Sequence, residues 1–348
     1  MNIRAAFLVL STVSILVTST DSMAENIKWV GQAHVSPALY VYKPFKHVAE
    51  RITAASGGRL ELTPYPAGAI VPATKELDGV DKGIIDFALG GYTFWLDKWP
   101  AAGLFSQVCG KTSPMQHYMW YTSGGGIELA QKMMTVGKDY NVMLIPGGGL
   151  LQMAEPFLHT RKPISTLSDL RKLKIRAVGD GGTILSRMGV SVVFMGGGQI
   201  YEAMSRNVID GFELGTIADT YDAKLHEVIK YIYVSPVRSP HEIIPIYYNK
   251  RKYEALPDDL KIIVETITKE EALNVYSFLL RSQAETLAAV EKTGVKIEKL
   301  PEEIEAAFLA EAEKYYSELA GEDVLAKEIL DSQNQAQSIY RQLQSDGL

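Results

Sequence analysis

Residues 168–215 read SDLRKLKIRAVGDGGTILSRMGVSVVFMGGGQIYEAMSRNVIDGFELG, and the fold turns on how their apolar runs alternate with glycine clusters. The order is strand, loop, helix, strand, loop, helix, strand, which builds one small sheet of an α/β protein. Arg176 falls near the end of the first strand and Glu213 near the end of the last. A fixed positive charge and a carboxylate therefore share one sheet edge, and the edge outside the carboxyl ends of the strands is where open α/β sheets bind ligands.

Upstream, 27–33 alternates as a strand, and Val41, Phe45, Val48, Ala49 and Ile52 recur at helical spacing within 40–55. Gly57-Gly58 stops that helix before a second strand at 60–64, an order that implies a parallel pair with a right-handed crossover. A short helix at 75–82 then feeds a third strand at 84–89. Its junction, Lys82-Gly83-Ile84-Ile85-Asp86, has a counterpart in Arg206-Asn207-Val208-Ile209-Asp210. Each reads as a basic last helical residue, a left-handed Gly or Asn cap and a β-branched strand opening, so two lobes of like construction are expected.

Between them, a strand within 139–145 runs into Pro146-Gly147-Gly148-Gly149, a flexible crossing suited to a hinge. YIYVSPVRSPHEIIPIYY at 231–248 holds two strand-like runs and supplies a second crossing. Lobe I is then 25–146 with 240–257, and lobe II is 147–239. The segment 258–348 is expected to be helical, spanning the lobes and completing lobe II. Its first helix, from Pro257-Asp258-Asp259 to Lys292, would reach about 50 Å. The helices 301–320 and 323–343 carry Glu- and Lys-rich outer faces that read as solvated surface.

The first 24 residues carry Arg4, an apolar run over 5–17 and Ser22-Met23-Ala24, the pattern of a secretory signal, so the mature chain is expected to begin near Glu25 and to be secreted. The run is shorter than the roughly 18 apolar residues a membrane span needs. A formal net charge of −6 argues against nucleic acid as a partner, and 47% hydrophobic residues give ample material for a core. The single cysteine, Cys109, excludes an intramolecular disulfide, and with only Val108 and Gly110 beside it reads as a buried structural thiol.

G-x-S-x-G, HExxH and G-x-x-x-x-G-K-[ST] are all missing, and the six histidines contain no pair at metal-ligand spacing. Gly179-Asp180-Gly181-Gly182 opens a helix that Thr183 could cap, placing a positive dipole end near Arg176. Together they describe a carboxylate clamp, against the alternative of a surface arginine paired with Asp180 or Asp169. Gln152 and Glu213 offer oxygen ligands suited to a hard cation, or are polar residues exposed at strand ends. A cation would also relieve the repulsion between Glu213 and a bound acid. The aromatics Tyr92, Phe94, Trp95, Trp99, Trp120 and Tyr121 either wall a pocket or fill the core.

Gln152, Asp169 through Arg176, Gly196-Gly197-Gly198-Gln199-Ile200-Tyr201-Glu202-Ala203 and Val208-Ile209-Asp210-Gly211 resemble the solute-binding proteins of tripartite ATP-independent periplasmic (TRAP) transporters. The most specific part is Leu173-Lys174-Ile175-Arg176 with the downstream E-A-x-x-x-x-V-I-D step. Tyr121 with Gly124-Gly125-Gly126, the 147–152 hinge and Glu213 are most similar to the 2-oxoacid-binding branch. The resemblance implies a two-lobed periplasmic-binding-protein-like clamp with no catalytic activity or cofactor. It implies that Arg176 pairs with the carboxylate of a small 2-oxo or 2-hydroxy monocarboxylate. Gln152, the Glu213 side chain and the Leu214 carbonyl would hold sodium or calcium, Glu242 would be another pocket residue, and the membrane permease of the transporter would be the partner. Leu214 stands where close relatives often carry Trp, which puts the ligand's size in question. The chain is expected to be a monomer or a homodimer. The alternatives are a secreted enzyme using Glu213 with His241 or Glu242, and a receptor that signals to a membrane kinase.

Overall fold

The computed structural model describes residues 26–110, 113–145 and 148–345. The expected signal segment and the Pro146-Gly147 half of the first crossing lie outside them. The strands are β1 (Ile27–Ala33), β2 (Leu60–Tyr65), β3 (Phe87–Leu89), β4 (Val142–Leu144), β5 (Leu150–Gln152), β6 (Leu158–Thr160), β7 (Lys174–Arg176), β8 (Ser191–Val193), β9 (Gly211–Phe212), β10 (Tyr231–Val234), β11 (Glu242–Ile244), β12 (Ile246–Asn249) and β13 (Lys296–Lys299). They form a five-stranded sheet in the order β2-β1-β3-β12-β4 and a six-stranded sheet in the order β13-β10-β6-β9-β7-β8. This is an α/β clamp of two lobes, one built on each sheet.

β1 and β2 run parallel around the helix Tyr42–Ala55, which buries Phe45, Val48, Ala49 and Ile52. The paired junctions share one geometry. Gly83 (φ 70°) and Asn207 (φ 58°) are both left-handed, and the next amide in each returns to the carbonyl five residues back, Ile84 to Gly79 and Val208 to Ala203. Because Ile85 also turns back to Gly79, the third strand starts at Phe87 rather than at residue 84.

β5 and β11 belong to neither large sheet. They pair antiparallel with each other, with Gln152 directly opposite Glu242. The crossing is tightly packed here. A methyl on Gly149 would stand 2.7 Å from Ile243 Cγ2, so this glycine permits close approach of the two crossing segments, and one on Gly148 would stand 2.8 Å from Ile145 Cβ in its own tight turn. The helix Asp258–Lys292, 35 residues long, packs along β5, against Tyr42–Ala55 and against Ile217–Asp222, and so ties both lobes together. The expectation of a wholly helical C-terminal segment is corrected by β13, which extends the second sheet beside β10, with Ile297 the least exposed of its four residues. The helices Glu302–Glu322 and Val324–Ser345 close the back. The first packs on Gly179–Arg187 of the second lobe, the other on Pro114–Ser123 of the first.

Among the described residues no helix is long and apolar enough to cross a membrane. Cys109 is buried beside Tyr316 and the Arg238 carbonyl, and burial pushes its thiol up to about 12.

Candidate functional site

The ends of β7, β9, β5 and β11 converge on one cavity between the lobes. Arg176 is the last residue of β7 and pairs in register with Phe212 of β9, so Glu213 emerges beside it and its amide donates to the Arg176 carbonyl at 3.1 Å. From there the Arg176 side chain, itself only 2% exposed, is fixed by three acceptor oxygens. Nε donates to the Met195 carbonyl at 3.0 Å, and Nη1 donates to the Glu213 carbonyl at 2.6 Å and to Glu213 Oε1 at 3.0 Å. Nη2 has no hydrogen bond among the described residues. One arm of the fork is held while the other is left for a carboxylate.

Glu213 Oε1 also accepts the Val178 amide at 2.8 Å, at the start of the helix Gly179–Arg187. Thr183 does not cap that helix as expected. It lies inside the first turns and bonds back to the Gly179 carbonyl, because the helix begins four residues earlier. Glu213 Oε2 lies 3.1 Å from Arg238 Nη1, close enough for attraction but not aligned as a hydrogen bond.

Arg238 was missed in the sequence, as was its partner Glu155. It is fully buried, with Nη2 on Glu155 Oε2 at 2.6 Å and on the Pro156 carbonyl at 3.0 Å, and Nε on the Phe157 carbonyl at 3.1 Å. The usable signal was an arginine inside an otherwise apolar, strand-rich crossing, since such a charge must be paired when buried. The result is an alternating chain of buried charges, Glu155, Arg238, Glu213, Arg176.

Gln152 and Glu242 line the same cavity from the paired crossing strands, with Leu214, Gln107, His34 and Phe94. Glu242 accepts from Ser106 Oγ at 3.3 Å. Burial first, and then the nearby Glu155 and Glu213, push its carboxyl up to about 8. Glu155 is raised by the same burial, against the pull of Arg238. His34 Nδ1 sits 3.1 Å from the Leu89 carbonyl. As a carbonyl only accepts, Nδ1 carries the proton and Nε2 is left as an acceptor, and burial holds the ring neutral with its pKa down at about 4. The cavity is ≈ 70 Å³, room for on the order of five water-sized groups.

The pocket-wall role expected for Tyr92, Trp95 and Tyr121 is corrected by their position. All three are packed in the core of the first lobe, with Tyr92 and Tyr121 hydroxyls bonded to each other at 2.7 Å. A phenol pair that satisfies itself has no need of the cavity. Phe94 reaches the cavity instead, and its ring meets exposed Phe194 of the other lobe edge-on at 6.1 Å.

The donors around the cavity fit a hard cation. Among the described residues no three His, Cys, Asp or Glu side chains form a ready-made metal cage. The Gln107 amide oxygen is buried without a partner, the Glu213 Oε2 lacks an aligned hydrogen bond, and the Gln152 amide stands beside them. Oxygen donors of this kind suit sodium or calcium and not a transition metal.

Behind the site, Asp180 is buried and bonded to Tyr315 at 3.3 Å and Tyr316 at 3.1 Å. Burial raises its carboxyl from the ordinary 3.8 to about 7, with the tyrosines offsetting part of the shift. Below the unfolded value both states carry the proton and nothing is lost. Stability falls as pH rises from there through the folded value. Asp180→Asn should therefore flatten the profile, removing on the order of 2 kcal/mol of the loss between about pH 5.5 and 8, as measured by denaturant unfolding at both pH values. An unchanged pH slope would show that Asp180 is ionised in the fold.

This geometry, two lobes joined by paired crossing strands with an arginine fork and oxygen donors in the cleft, defines a solute-binding receptor. The pattern of bacterial extracellular solute-binding protein family 7 matches residues 32–323, and the chain belongs to that family. It is a TRAP-type solute-binding protein and not an enzyme. It is 28% identical over 323 residues to the monocarboxylate 2-oxoacid-binding periplasmic protein all3028 of Nostoc sp. strain PCC 7120, covering 92% of this chain and 87% of that one. Among solved structures, a TRAP solute-binding protein of Pseudoalteromonas atlantica T6c with bound sodium and pyruvate superposes with a TM-score of 0.83, 25% identity and coverage of 91% and 95%. One from Colwellia psychrerythraea with bound calcium and pyruvate superposes with a TM-score of 0.85, 24% identity and coverage of 92% and 98%.

Proposed function

We propose that this chain captures a small 2-oxo or 2-hydroxy monocarboxylate together with a sodium or calcium ion and delivers it to a TRAP membrane permease from the periplasm. The observation that carries the reading is Arg176, whose free Nη2 faces a cavity sized for a molecule of a few heavy atoms and ringed by oxygen donors. Gln152, Glu213 and the Leu214 carbonyl would hold the ion, which supplies positive charge next to the acid. The protonated Glu242 would donate to one of the ligand's remaining oxygens, and His34 Nε2, an acceptor, would take a hydrogen bond from the hydroxyl of a 2-hydroxy acid.

Charge balance supports the pairing of acid and ion. With Glu242 protonated at neutral pH, Arg176 and Arg238 offset Glu155 and Glu213, while Asp219, which also lines the cavity, is held by the Tyr40 and Thr216 amides. An entering carboxylate leaves one uncompensated negative charge in a low-dielectric cleft, which one monovalent cation cancels. Closure of lobe I (25–146 with 240–257) on lobe II (147–239) would then present the surface that the permease reads. The 2-oxoacid-binding relative and the pyruvate-bound neighbours agree with this ligand class.

A thermal-shift panel tests it. Pyruvate or a near homologue at about 100 times its dissociation constant should add about 2.7 kcal/mol of stability, and more with sodium or calcium present than after ion removal. Stabilisation by dicarboxylates or sugar acids, with none from 2-oxo or 2-hydroxy monocarboxylates, would refute the ligand class.

A further inference from the structure

The cleft holds more space than the small cavity beside Arg176. Two larger hollows, ≈ 660 Å³ and ≈ 530 Å³, flank that cavity of ≈ 70 Å³. Among the described residues Phe94 alone lines all three, and Phe194 lines both of the larger ones. Phe94 ends the turn that follows β3 of the first sheet, and Phe194 directly follows β8 of the second, so the partition is built from both lobes. The Phe94 ring is braced on two sides. His34, on the wall of the small cavity, packs against it at 5.2 Å, and Phe194 meets it edge-on at 6.1 Å. Its backbone is fixed as well, because the Phe94 amide donates to the Gly91 carbonyl at 3.1 Å and Tyr92 of the same turn is anchored in the core through Tyr121.

We propose that Phe94, braced by Phe194, sets the upper size limit of the ligand by walling the acid off from the larger hollows. The inference rests on the 2-oxo monocarboxylate reading of the site. Once the carboxylate is on Arg176, the chain of the acid must fit in what remains of ≈ 70 Å³, which an acid of three or four carbons fills. A longer chain needs the space behind the Phe94 ring. There Leu96, Val178 and Val192 line the ≈ 660 Å³ hollow with apolar side chains suited to an unbranched aliphatic chain. Phe94 is thus a specificity-determining residue: with the ring in place the receptor takes short acids, and without it the same fork takes long ones.

Calorimetric titration with pyruvate and with 2-oxohexanoate, in the presence of sodium or calcium, tests the assignment. The wild type should bind pyruvate at least tenfold more tightly. Each methylene buried is worth about fourfold in affinity, and 2-oxohexanoate carries three more than pyruvate. Phe94→Ala should therefore move the ratio of the two affinities by at least tenfold toward 2-oxohexanoate. Phe194→Ala, at a side chain 61% exposed and so safe for the fold, should move it the same way by about threefold. A wild type that binds both acids equally overturns the size limit and leaves the ligand class standing. So does a ratio unmoved in Phe94→Ala while pyruvate still binds. If Phe94→Ala binds neither acid, an unmoved ratio in Phe194→Ala overturns the proposal and a shift toward 2-oxohexanoate sustains it. A wild type that binds no 2-oxo acid at all refutes the ligand class and takes the size limit with it.

Discussion

Replacing Arg238 by methionine should cost about 3–5 kcal/mol of folding stability, the largest effect expected of any single substitution in this chain. The guanidinium is fully buried and stands between two carboxylates, Glu155 at 2.6 Å and Glu213 at 3.1 Å. Removing it leaves both buried and facing each other with one fewer positive charge. The variant should take up protons on folding, so the loss should shrink as pH falls. Glu155→Gln introduced with it should recover part of the loss, because one of the stranded charges is gone. Denaturant unfolding of the two singles and the double gives the coupling directly. A loss under about 1 kcal/mol for Arg238→Met would mean that the charge chain is not a structural unit.

Arg176→Ala carries the second large effect, on binding. Its free Nη2 offers a carboxylate two N–H donors, and a buried charge-assisted contact of this kind is worth about 1.5–3 kcal/mol, while the cost of leaving Glu213 short of a partner falls on stability. Affinity for the best organic acid should fall by about 10–10²-fold. Arg176→Lys should fall between, since it keeps the charge and loses the fork. Calorimetric titration of each variant, with its stability checked without ligand, separates loss of the contact from loss of the fold. Affinity unchanged in Arg176→Ala would remove this arginine from the clamp.

Much of the scaffold was legible because local chemistry decides it. Gly83 and Asn207 could be assigned as left-handed caps from their position after a basic helical end, and Arg176 and Glu213 could be placed on one sheet edge by counting strands and helices. What the residues alone could not supply is which side chain turns inward across the cleft. Tyr92, Trp95 and Tyr121 lie close in sequence to Phe94, yet only Phe94 reaches the cavity, since orientation along the short turn at 92–94 is set by packing. Glu155 and Arg238 are far apart in the chain and meet only after both crossings are built. Pairing of that kind leaves no periodic trace. The strand at β13 escaped notice for another reason: four residues with mostly exposed side chains, flanked by long helices, carry almost no apolar pattern.

The measurement that bears most directly on the central claim is calorimetric titration of the ion-stripped protein with pyruvate, repeated with sodium and with calcium restored. The account predicts weak binding without ion and at least tenfold tighter binding with one of the two, with pyruvamide, which lacks the carboxylate, failing to bind in either condition. Equal binding of pyruvamide and pyruvate, or pyruvate affinity indifferent to both ions, would contradict it.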